Sequence, residues 1–367
     1  MPTISQIIDH LEHLAPPALQ EDYDNSGFQL GHPQLECTGA LLTLDCLEAT
    51  VDEAIDRNCN LIVAHHPIIF KGLKRIDTSH WIGRVIERAI KNDVTIYAIH
   101  TNLDNALPGL NTHFAQLLGL KIERPLRPMV RKLLKLTVIV PSEDRGTLLD
   151  ALFAAGAGNI GKYSRCSFTL EGEGTFRPQA GASPAVGRVG QDEQTSEAQV
   201  QVIFPDFLKG RVLQAMRQAH PYEEVAYYLE WMENEWQEAG AGVVCQLPEP
   251  MSEQDFLGLL CQRIGLSYLR YTQFLDRRVE RVALCGGSGS FLLVDAKAAG
   301  VQMLVTGDVK HHEYLEADGQ IVIADIGHWE SERRVVEYLD SEIRKKFTNF
   351  ATHLTEKTGS PVSLFIP

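Results

Sequence analysis

A short apolar stretch that ends in two adjacent histidines constrains the fold of this chain more than any other feature. Residues 61–64, Leu-Ile-Val-Ala, lead directly into His65, His66 and Pro67. A brief apolar run that stops at a breaker is typical of a buried strand, and Pro67 lacks the N–H group that would continue the ladder. Open α/β sheets keep their ligand sites at the carboxyl ends of strands, which is where these two imidazoles are predicted to lie.

The two histidines need not bind the same ligand. Successive side chains of an extended chain point to opposite sides, so His65 and His66 could each hold a different metal ion. The alternative is that one imidazole packs in the core and the other faces water. Candidate ligands elsewhere in the chain bear on this choice.

Composition is typical of a globular protein of more than one domain. The chain has 367 residues, of which 44% are hydrophobic and 22% charged, and no apolar run reaches membrane-spanning length. Seven cysteines without a Cys-x-x-Cys pair fit a reducing compartment and argue against a structural zinc knuckle. The net charge of −14 disfavours general nucleic-acid binding. Because the start lacks the basic and apolar regions of a signal peptide, we expect a cytoplasmic location.

Helices alternate with short strands on both sides of a central segment, which predicts an α/β fold with parallel sheets built from βαβ units. Thr50 and Glu53 form a capping-box pattern, which predicts that a helix begins at Thr50. The C-terminal part repeats the order of the N-terminal part, which indicates an internal duplication. The corresponding stretches are 60–65 with 302–307, and 97–100 with 324–327.

The central segment, residues 127–245, has a different pattern. Its predicted elements follow the order βαβ-βαβ with an extra hairpin, which is the ferredoxin-like arrangement of an α+β domain. We therefore predict an inserted domain at 127–245. The flanking parts, 1–126 and 246–367, would form one discontinuous, duplicated α/β core domain.

Two further pairs of candidate ligands follow predicted strands. His328 and Glu332 are four residues apart at a predicted helix start, so both side chains lie on one face and can converge on one ion. The alternative is that Glu332 only stabilises the N-terminus of the helix. His100 and Asp104 have the same spacing on a loop, where an ordinary turn is the alternative.

All three pairs lie at the tips of predicted buried strands, and this convergence favours a metal centre. Imidazole and carboxylate ligands without a thiolate suit zinc, manganese, iron, cobalt or nickel. About five ligands are more than one catalytic zinc uses, so the pattern predicts two ions. Asp104, a carboxylate on a loop, is the expected bridge between them.

Other polar motifs give weaker signals. Residues 286–290, Gly-Gly-Ser-Gly-Ser, are predicted to form a tight turn, and a phosphate-binding role stays open because the Walker lysine is missing. Asp308, His311 and His312 are close enough in sequence to support the metal site, with a solvated turn as the alternative. Residues 220–224, His-Pro-Tyr-Glu-Glu, are interpreted as a polar loop.

The order of these motifs resembles a dinuclear-metal-centre hexameric family of Nif3-like proteins, often labelled GTP cyclohydrolase I type 2 homologues. Asp308 differs from the glutamate that relatives often have there, and the central insert resembles the PII-like domain of the longer members. The motifs that carry the resemblance are Tyr23-Asp24-Asn25-Ser26-Gly27, His65-His66-Pro67, His100-Thr101-Asn102-Leu103-Asp104, Thr306-Gly307-Asp308 and His328-Trp329-Glu330-Ser331-Glu332.

The resemblance implies a homohexamer with two divalent metal ions per chain. It also implies a set of metal ligands, with His100 and Asp308 in supporting positions next to them. The implied ligands are His65, His66, Asp104, His328 and Glu332.

Two functions are consistent with such a centre. The first is a metal-dependent hydrolase acting on a nucleotide or a related small molecule, in which His100 or Asp308 could move protons. The second is a non-catalytic metal-binding hexamer with a regulatory or scaffold role. The sequence assigns neither a catalytic residue nor a ligand of the insert.

Overall fold

A computed structural model describes residues 1–357, 359–363 and 365 of the chain. The chain divides into two compact units. Residues 1–128 and 238–367 form the first, here called the core unit, and residues 129–237 form the second, the inserted unit. Among the described residues, no helix is long and apolar enough to cross a membrane.

Short strands and amphipathic helices alternate through the N-terminal part of the core unit. The helices are α1 (Ile4–Leu14), α2 (Glu48–Asp56), α3 (Trp81–Lys91), α4 (Thr101–Asn105) and α5 (Leu110–Leu118). The strands are β1 (Gly27–Leu30), β2 (Ala40–Thr43), β3 (Leu61–Ala64), β4 (Thr95–Ala98) and β5 (Lys121–Met129).

The inserted unit and the C-terminal part continue the numbering in chain order. The inserted unit contains β6 (Leu133–Pro141), α6 (Arg145–Ala154), β7 (Phe168–Phe176), β8 (Glu193–Pro205), α7 (Lys209–Ala219) and β9 (Tyr227–Met232). The C-terminal strands are β10 (Trp236–Ser252), β11 (Arg270–Tyr271), β12 (Arg278–Ser288), β13 (Met303–Gly307), β14 (Val322–Asp325) and β15 (Thr352–Leu354). The C-terminal helices are α8 (Glu253–Ile264), α9 (Leu293–Ala298), α10 (His311–Leu315), α11 (His328–Glu332) and α12 (Val335–Lys346).

The first sheet of the core unit has the strand order β1-β4-β3-β2-β15. Strands β15, β2, β3 and β4 are parallel, and β1 pairs with β4 in the antiparallel sense. Every residue of β2, β3 and β4 is buried, as expected for central parallel strands that are covered on both faces. Val85, Ile86 and Ala89 of α3 pack into the core beside β3.

The second sheet has the order β11-β14-β13-β12-β10-β5, with β12, β13 and β14 parallel and β11 antiparallel to β14. The series β11-β14-β13-β12 thus repeats β1-β4-β3-β2 of the first sheet. The predicted α/β class and the duplicated core are confirmed. The central strands of both sheets are parallel as predicted, and β1, β10 and β11 add antiparallel pairs next to them.

The inserted unit consists of one sheet with two helices. Its strand order is β7-β8-β6-β9, all neighbours are antiparallel, and the chain runs β6-α6-β7-β8-α7-β9. Apolar side chains of α6 and α7, among them Leu148, Leu152 and Met216, pack on those of β6 and β8. This connectivity is the βαββαβ pattern of ferredoxin-like domains.

Candidate metal centre

The parallel strands of the core unit bring the predicted ligands together. His65 and His66 directly follow β3, and His100 lies two residues after the end of the neighbouring strand β4. Neighbouring parallel strands end at the same edge of a sheet, which places these residues side by side. The ring of His100 lies 5.3 Å, centroid to centroid, from each of the other two rings.

Helix α11 brings the second pair to the same place. His328 and Glu332 begin and end this helix, and the Nε2 atom of His328 lies 3.0 Å from an oxygen of Glu332. The same oxygen lies 3.1 Å from Nε2 of His66. The other carboxylate oxygen of Glu332 lies 3.9 Å from Nε2 of His65. Glu332 is therefore positioned between the two adjacent histidines.

Asp104, on α4, completes the cluster. Its Oδ1 atom lies 3.6 Å from Nε2 of His65. The potential ligand atoms within each of three groups lie within 4.8 Å of one another. The groups are His65 with Asp104 and Glu332, His66 with His328 and Glu332, and His65 with His66 and His100.

Hydrogen bonds at Nδ1 orient the three histidines of the predicted ligand set. Nδ1 of His65 donates to the carbonyl oxygen of Ile99 at 2.8 Å. Nδ1 of His66 donates to Asp45, and Nδ1 of His328 donates to Asp308, both at 2.8 Å. These bonds leave Nε2 of each ring directed into the cluster, which is the arrangement that metal-binding histidines commonly have. The contact with His328 agrees with the supporting position predicted for Asp308.

His100 has the same type of hydrogen bond, and its partner was not identified from the sequence. Its Nδ1 donates to Asp24 at 2.8 Å, and the other oxygen of Asp24 accepts from the backbone N–H of Thr101. Burial opposes the charge on Asp24, but hydrogen bonds from His100 and Thr101 outweigh it and lower the pKa of this carboxyl group. Asp24 therefore holds His100 in place as an ionised acceptor.

Burial and neighbouring charges give His65 and His66 opposite protonation states. Burial lowers the pKa of His65 to about 4. For His66, burial also opposes protonation, but hydrogen bonds to Asp45 and Glu332 raise the pKa to about 10. Without a metal ion, His65 is thus neutral at pH 7, whereas His66 carries a positive charge beside Glu332.

The two carboxylates of the cluster also have opposite pKa shifts. Burial would raise the pKa of Glu332, but hydrogen bonds from His328 and His66 hold it well below its usual range. Burial and the nearby charge of Glu332 raise the pKa of Asp104. Ionised Glu332 is therefore favoured in this cluster. Ionisation of Asp104 as well requires additional positive charge nearby.

The residues fit a metal centre. Nε2 of His65 and Oδ1 of Asp104 are buried, and neither has a hydrogen-bond partner among the described residues. Buried polar atoms without a partner are rare and costly, and a cation between these two atoms would satisfy both. Imidazole nitrogens and carboxylate oxygens are ligands of zinc, manganese, iron, cobalt and nickel.

The glycine-rich stretch at the end of β12 makes room for the cluster. A Cβ atom on Gly287 would lie 2.3 Å from Oε1 of Glu332, and the φ angle of Gly287 is +63°. Gly286 and Ser288 belong to β12 itself, so the predicted tight turn at 286–290 begins later than expected. A side chain at position 287 would displace the Glu332 carboxylate.

The backbone amides of this stretch already have acceptors within the protein. The N–H groups of Gly286 and Gly289 donate to Asn111 at 2.9 Å and to Thr306 at 2.8 Å. The N–H group of Gly287 donates to the hydroxyl of Ser331 at 2.9 Å. These bonds argue against a phosphate cradle at this point.

A cavity of about 220 Å³ opens beside the cluster. His100, Asp104, His328 and Glu332 contribute to its walls. Tyr23, which is 64% exposed, and Phe291, which is 50% exposed, also line it. A small molecule can therefore reach the candidate ligands.

Other predicted polar residues lie outside the cluster. His311 and His312 are exposed at the start of α10, and their rings contact each other at 5.3 Å between centroids. This agrees with the solvated alternative. Asp45 was missed, although it lies two residues after β2 just as His66 lies two residues after β3, and the same argument from strand tips could have found it.

The fold and the site together define a class: an α/β protein with a duplicated core and a partly buried histidine–carboxylate cluster at its strand tips. The chain belongs to the Duf34/NIF3 (NGG1p interacting factor 3) family, whose profile matches residues 2–361. The family resemblance inferred from the motifs is thereby confirmed.

Individual relatives match over most of their length. A Bacillus subtilis protein named GTP cyclohydrolase 1 type 2 homolog is 38% identical over 328 residues, which cover 88% of this chain and 87% of the relative. A solved structure of a Bacillus cereus protein related to NIF3 has a TM-score of 0.86 and 36% identity, covering 99% of each chain. A Staphylococcus aureus structure has a TM-score of 0.77 and 26% identity over 99% of each chain.

Proposed function

We propose that the cluster binds two divalent metal ions, held by His65, His66, Asp104, His328 and Glu332. Two groups of potential ligands share Glu332: one adds His65 and Asp104, and the other adds His66 and His328. Because each group could hold one ion, the shared carboxylate supports a pair of ions. The two oxygens of Glu332 face different histidines, so this carboxylate, rather than Asp104, is the better bridge.

We further propose that this centre is a metal-dependent hydrolase. Bound divalent ions would supply an activated water and neutralise the negative charge that develops on the substrate. The observation that carries the proposal is the open cavity against which His100, Asp104, His328 and Glu332 lie.

His100 is the residue best placed to transfer protons. It lines the cavity, and Asp24 accepts the hydrogen bond from its Nδ1 atom, so Nε2 is the atom that would accept or donate a proton. A histidine fixed by a carboxylate in this way is a common general base. Asp308 is less suited to this role, because its carboxylate already accepts from His328.

A nucleotide or a related small molecule is the proposed substrate. The name of the Bacillus subtilis relative mentions GTP, and exposed Tyr23 and Phe291 offer surfaces for stacking a planar base. The cavity of about 220 Å³ is smaller than the roughly 300–1,000 Å³ of most ligand pockets. It therefore fits the reacting group better than a complete nucleotide.

Turnover by matched variants tests the hydrolase. We expect metal-dependent hydrolysis of at least one compound in a panel of nucleotides and phosphoesters, lost on chelation and recovered on adding the metal back. Asp104→Asn keeps the size of the side chain but removes its charge, and activity should fall at least about tenfold. The control is the His311→Ala, His312→Ala double variant, which should keep its activity. Turnover that survives chelation, or that Asp104→Asn leaves unchanged, would exclude this mechanism.

The small cavity also favours a second candidate, a non-catalytic metal-binding hexamer with a regulatory or scaffold role. The homohexamer is itself a proposal that rests on the family resemblance. Light scattering coupled to size-exclusion chromatography would test it, with about six times the mass of the 40.9 kDa chain expected. A metal-loaded hexamer without turnover on any compound would favour the second candidate.

A further inference from the structure

The inserted unit contains a cavity that the proposed metal chemistry does not use. Its volume is about 390 Å³, within the range of small-molecule sites. Most of the wall is apolar, formed by side chains such as Ile139, Phe176, Pro178, Pro184 and Val186. A ligand for this cavity therefore has an apolar body.

One wall of this cavity carries a buried carboxylate. Glu197, on β8, is only 8% exposed and lies next to β7. A Cβ atom on Gly174 of β7 would lie 1.8 Å from Oε2 of Glu197, so the carboxylate occupies the space that the missing side chain leaves. The presence of glycine at position 174 allows an acidic group to be buried at this point.

The polar motif at 220–224 positions this carboxylate. Nε2 of His220 donates to the carbonyl oxygen of Ile139 at 2.8 Å, so Nδ1 is the acceptor and receives the N–H group of Tyr222 at 3.1 Å. The hydroxyl group of Tyr222 then donates to Oε1 of Glu197 at 3.2 Å. The motif thus fixes one oxygen of the buried carboxylate.

No cationic side chain neutralises Glu197 within the part of the chain that the structure describes. Arg177 lines the cavity, but it forms a bidentate ion pair with Asp192. Two more acidic residues, Glu223 and Glu224, contribute to the lining. A buried carboxylate held only by a neutral hydroxyl group is costly, and a positively charged ligand would compensate its charge.

We propose that this cavity binds a small organic ammonium compound, with its apolar body against the apolar wall and its cationic group at Glu197. The size of the cavity, its apolar lining and its negative charge support this ligand class together. The site lies entirely in the inserted unit and is independent of the proposed metal function.

Three probes of similar shape and different charge test the proposal on the full-length protein. Isothermal titration calorimetry at pH 7 would compare phenethylamine, which is a cation, with neutral phenethyl alcohol and anionic hydrocinnamate. We expect phenethylamine to bind at least about tenfold more tightly than the alcohol, as for a charge-assisted hydrogen bond in a buried site. Hydrocinnamate should bind most weakly, because its carboxylate would face Glu197.

Variants test whether Glu197 is responsible for the preference for the cationic probe. Glu197→Gln keeps the shape but removes the charge, so the preference for phenethylamine over the alcohol should disappear. Glu233→Gln is the matched control, since Glu233 is an exposed glutamate of the same unit that pairs with Arg131, and it should bind all probes like the wild type. If Glu197→Gln does not fold, Ala182→Trp fills the cavity from its wall and should abolish binding of both probes.

Several results would overturn the proposal. These are equal affinities of wild-type protein for phenethylamine and phenethyl alcohol, a preference that persists in Glu197→Gln, and undiminished binding to Ala182→Trp. Absence of phenethylamine binding at millimolar concentration would overturn it as well.

Discussion

At the scale of single residues, the candidate centre depends on which groups surround each ligand. His65, His66 and His328 each use Nδ1 for a protein oxygen, and this common arrangement directs Nε2 toward Glu332. The position of Glu332 depends in turn on Gly287, because any Cβ atom there would overlap the carboxylate. Metal binding should therefore be sensitive to a residue that is not itself a ligand.

Replacing Gly287 with alanine tests this dependence. We expect Gly287→Ala to lose most of its bound metal, because the new methyl group displaces Glu332. The positive φ angle also costs about 1–2 kcal/mol of stability. Gly300→Ala is the matched control, since Gly300 has a φ of +67° and open space around its Cβ position. Equal metal contents in the two variants would contradict the prediction.

The sequence located the candidate ligands of the cluster better than their hydrogen-bond partners. His65, His66 and His328 were predictable because each lies near a strand tip or at a helix start, and Glu332 because it follows His328 by four residues, one helical turn. Asp24 follows no strand, and its contact with His100 spans 76 positions of the chain. Such a long-range contact depends on the tertiary structure, so the sequence could not reveal it.

At the scale of elements, α2 shows how a local pattern can point to the wrong role. The capping box predicted at Thr50 is wrong, because α2 begins at Glu48 and Thr50 accepts from the N–H group of Leu47 within the first turn. Glu53 instead binds residues 355–357 near the far end of the chain, through the Thr355 hydroxyl and two backbone N–H groups. Glu53 is 1% exposed, so its carboxylate is buried where it accepts these partly buried bonds.

Stability at acid pH tests the role of Glu53. Burial would raise its pKa, but hydrogen bonds from residues 355–357 and the charge of Arg57 lower it below the ordinary value of 4.5. The stabilisation is therefore complete above pH 4.5 and is lost as the pH falls through the lowered pKa of the folded state. We expect Glu53→Gln to lower the free energy of unfolding by about 1–3 kcal/mol at pH 7. This difference should shrink in acid.

Denaturant unfolding at several pH values measures this effect. Glu48→Gln on the same helix is the control, because Glu48 forms a half-exposed ion pair with Arg84 and should contribute less than about 1 kcal/mol. A Glu53→Gln variant as stable as the wild type at pH 7 would show that these hydrogen bonds contribute nothing.

At the scale of the whole molecule, the chain consists of a core unit interrupted by an inserted unit. The βαβ alternation made the α/β core predictable, since hydrophobic runs and caps are local features. The antiparallel pairs of β1, β10 and β11 were not predictable, because strand direction depends on which strands become neighbours. The independent folding of the insert stays a prediction.

Deletion of the insert tests that prediction. A chain in which a short linker replaces residues 129–237 should stay soluble and bind metal, because every candidate ligand belongs to the core unit. A longer deletion, of residues 127–245, is the informative comparison. It removes Val243, Val244 and Cys245, which pair with β12, and should be markedly less stable. Aggregation or metal loss in the shorter deletion would mean that the core unit needs the insert.

The central claim, that the cluster is a dinuclear metal centre, is tested most directly by the metal content of the purified protein. Inductively coupled plasma mass spectrometry should find about two divalent ions per wild-type chain. His66→Ala and Glu332→Ala should retain fewer than about one ion per chain with an unchanged circular dichroism spectrum, while the His311→Ala, His312→Ala double variant should retain about two. Unchanged metal content in both cluster variants, or a wild-type protein that binds none of the candidate metals, would contradict the account.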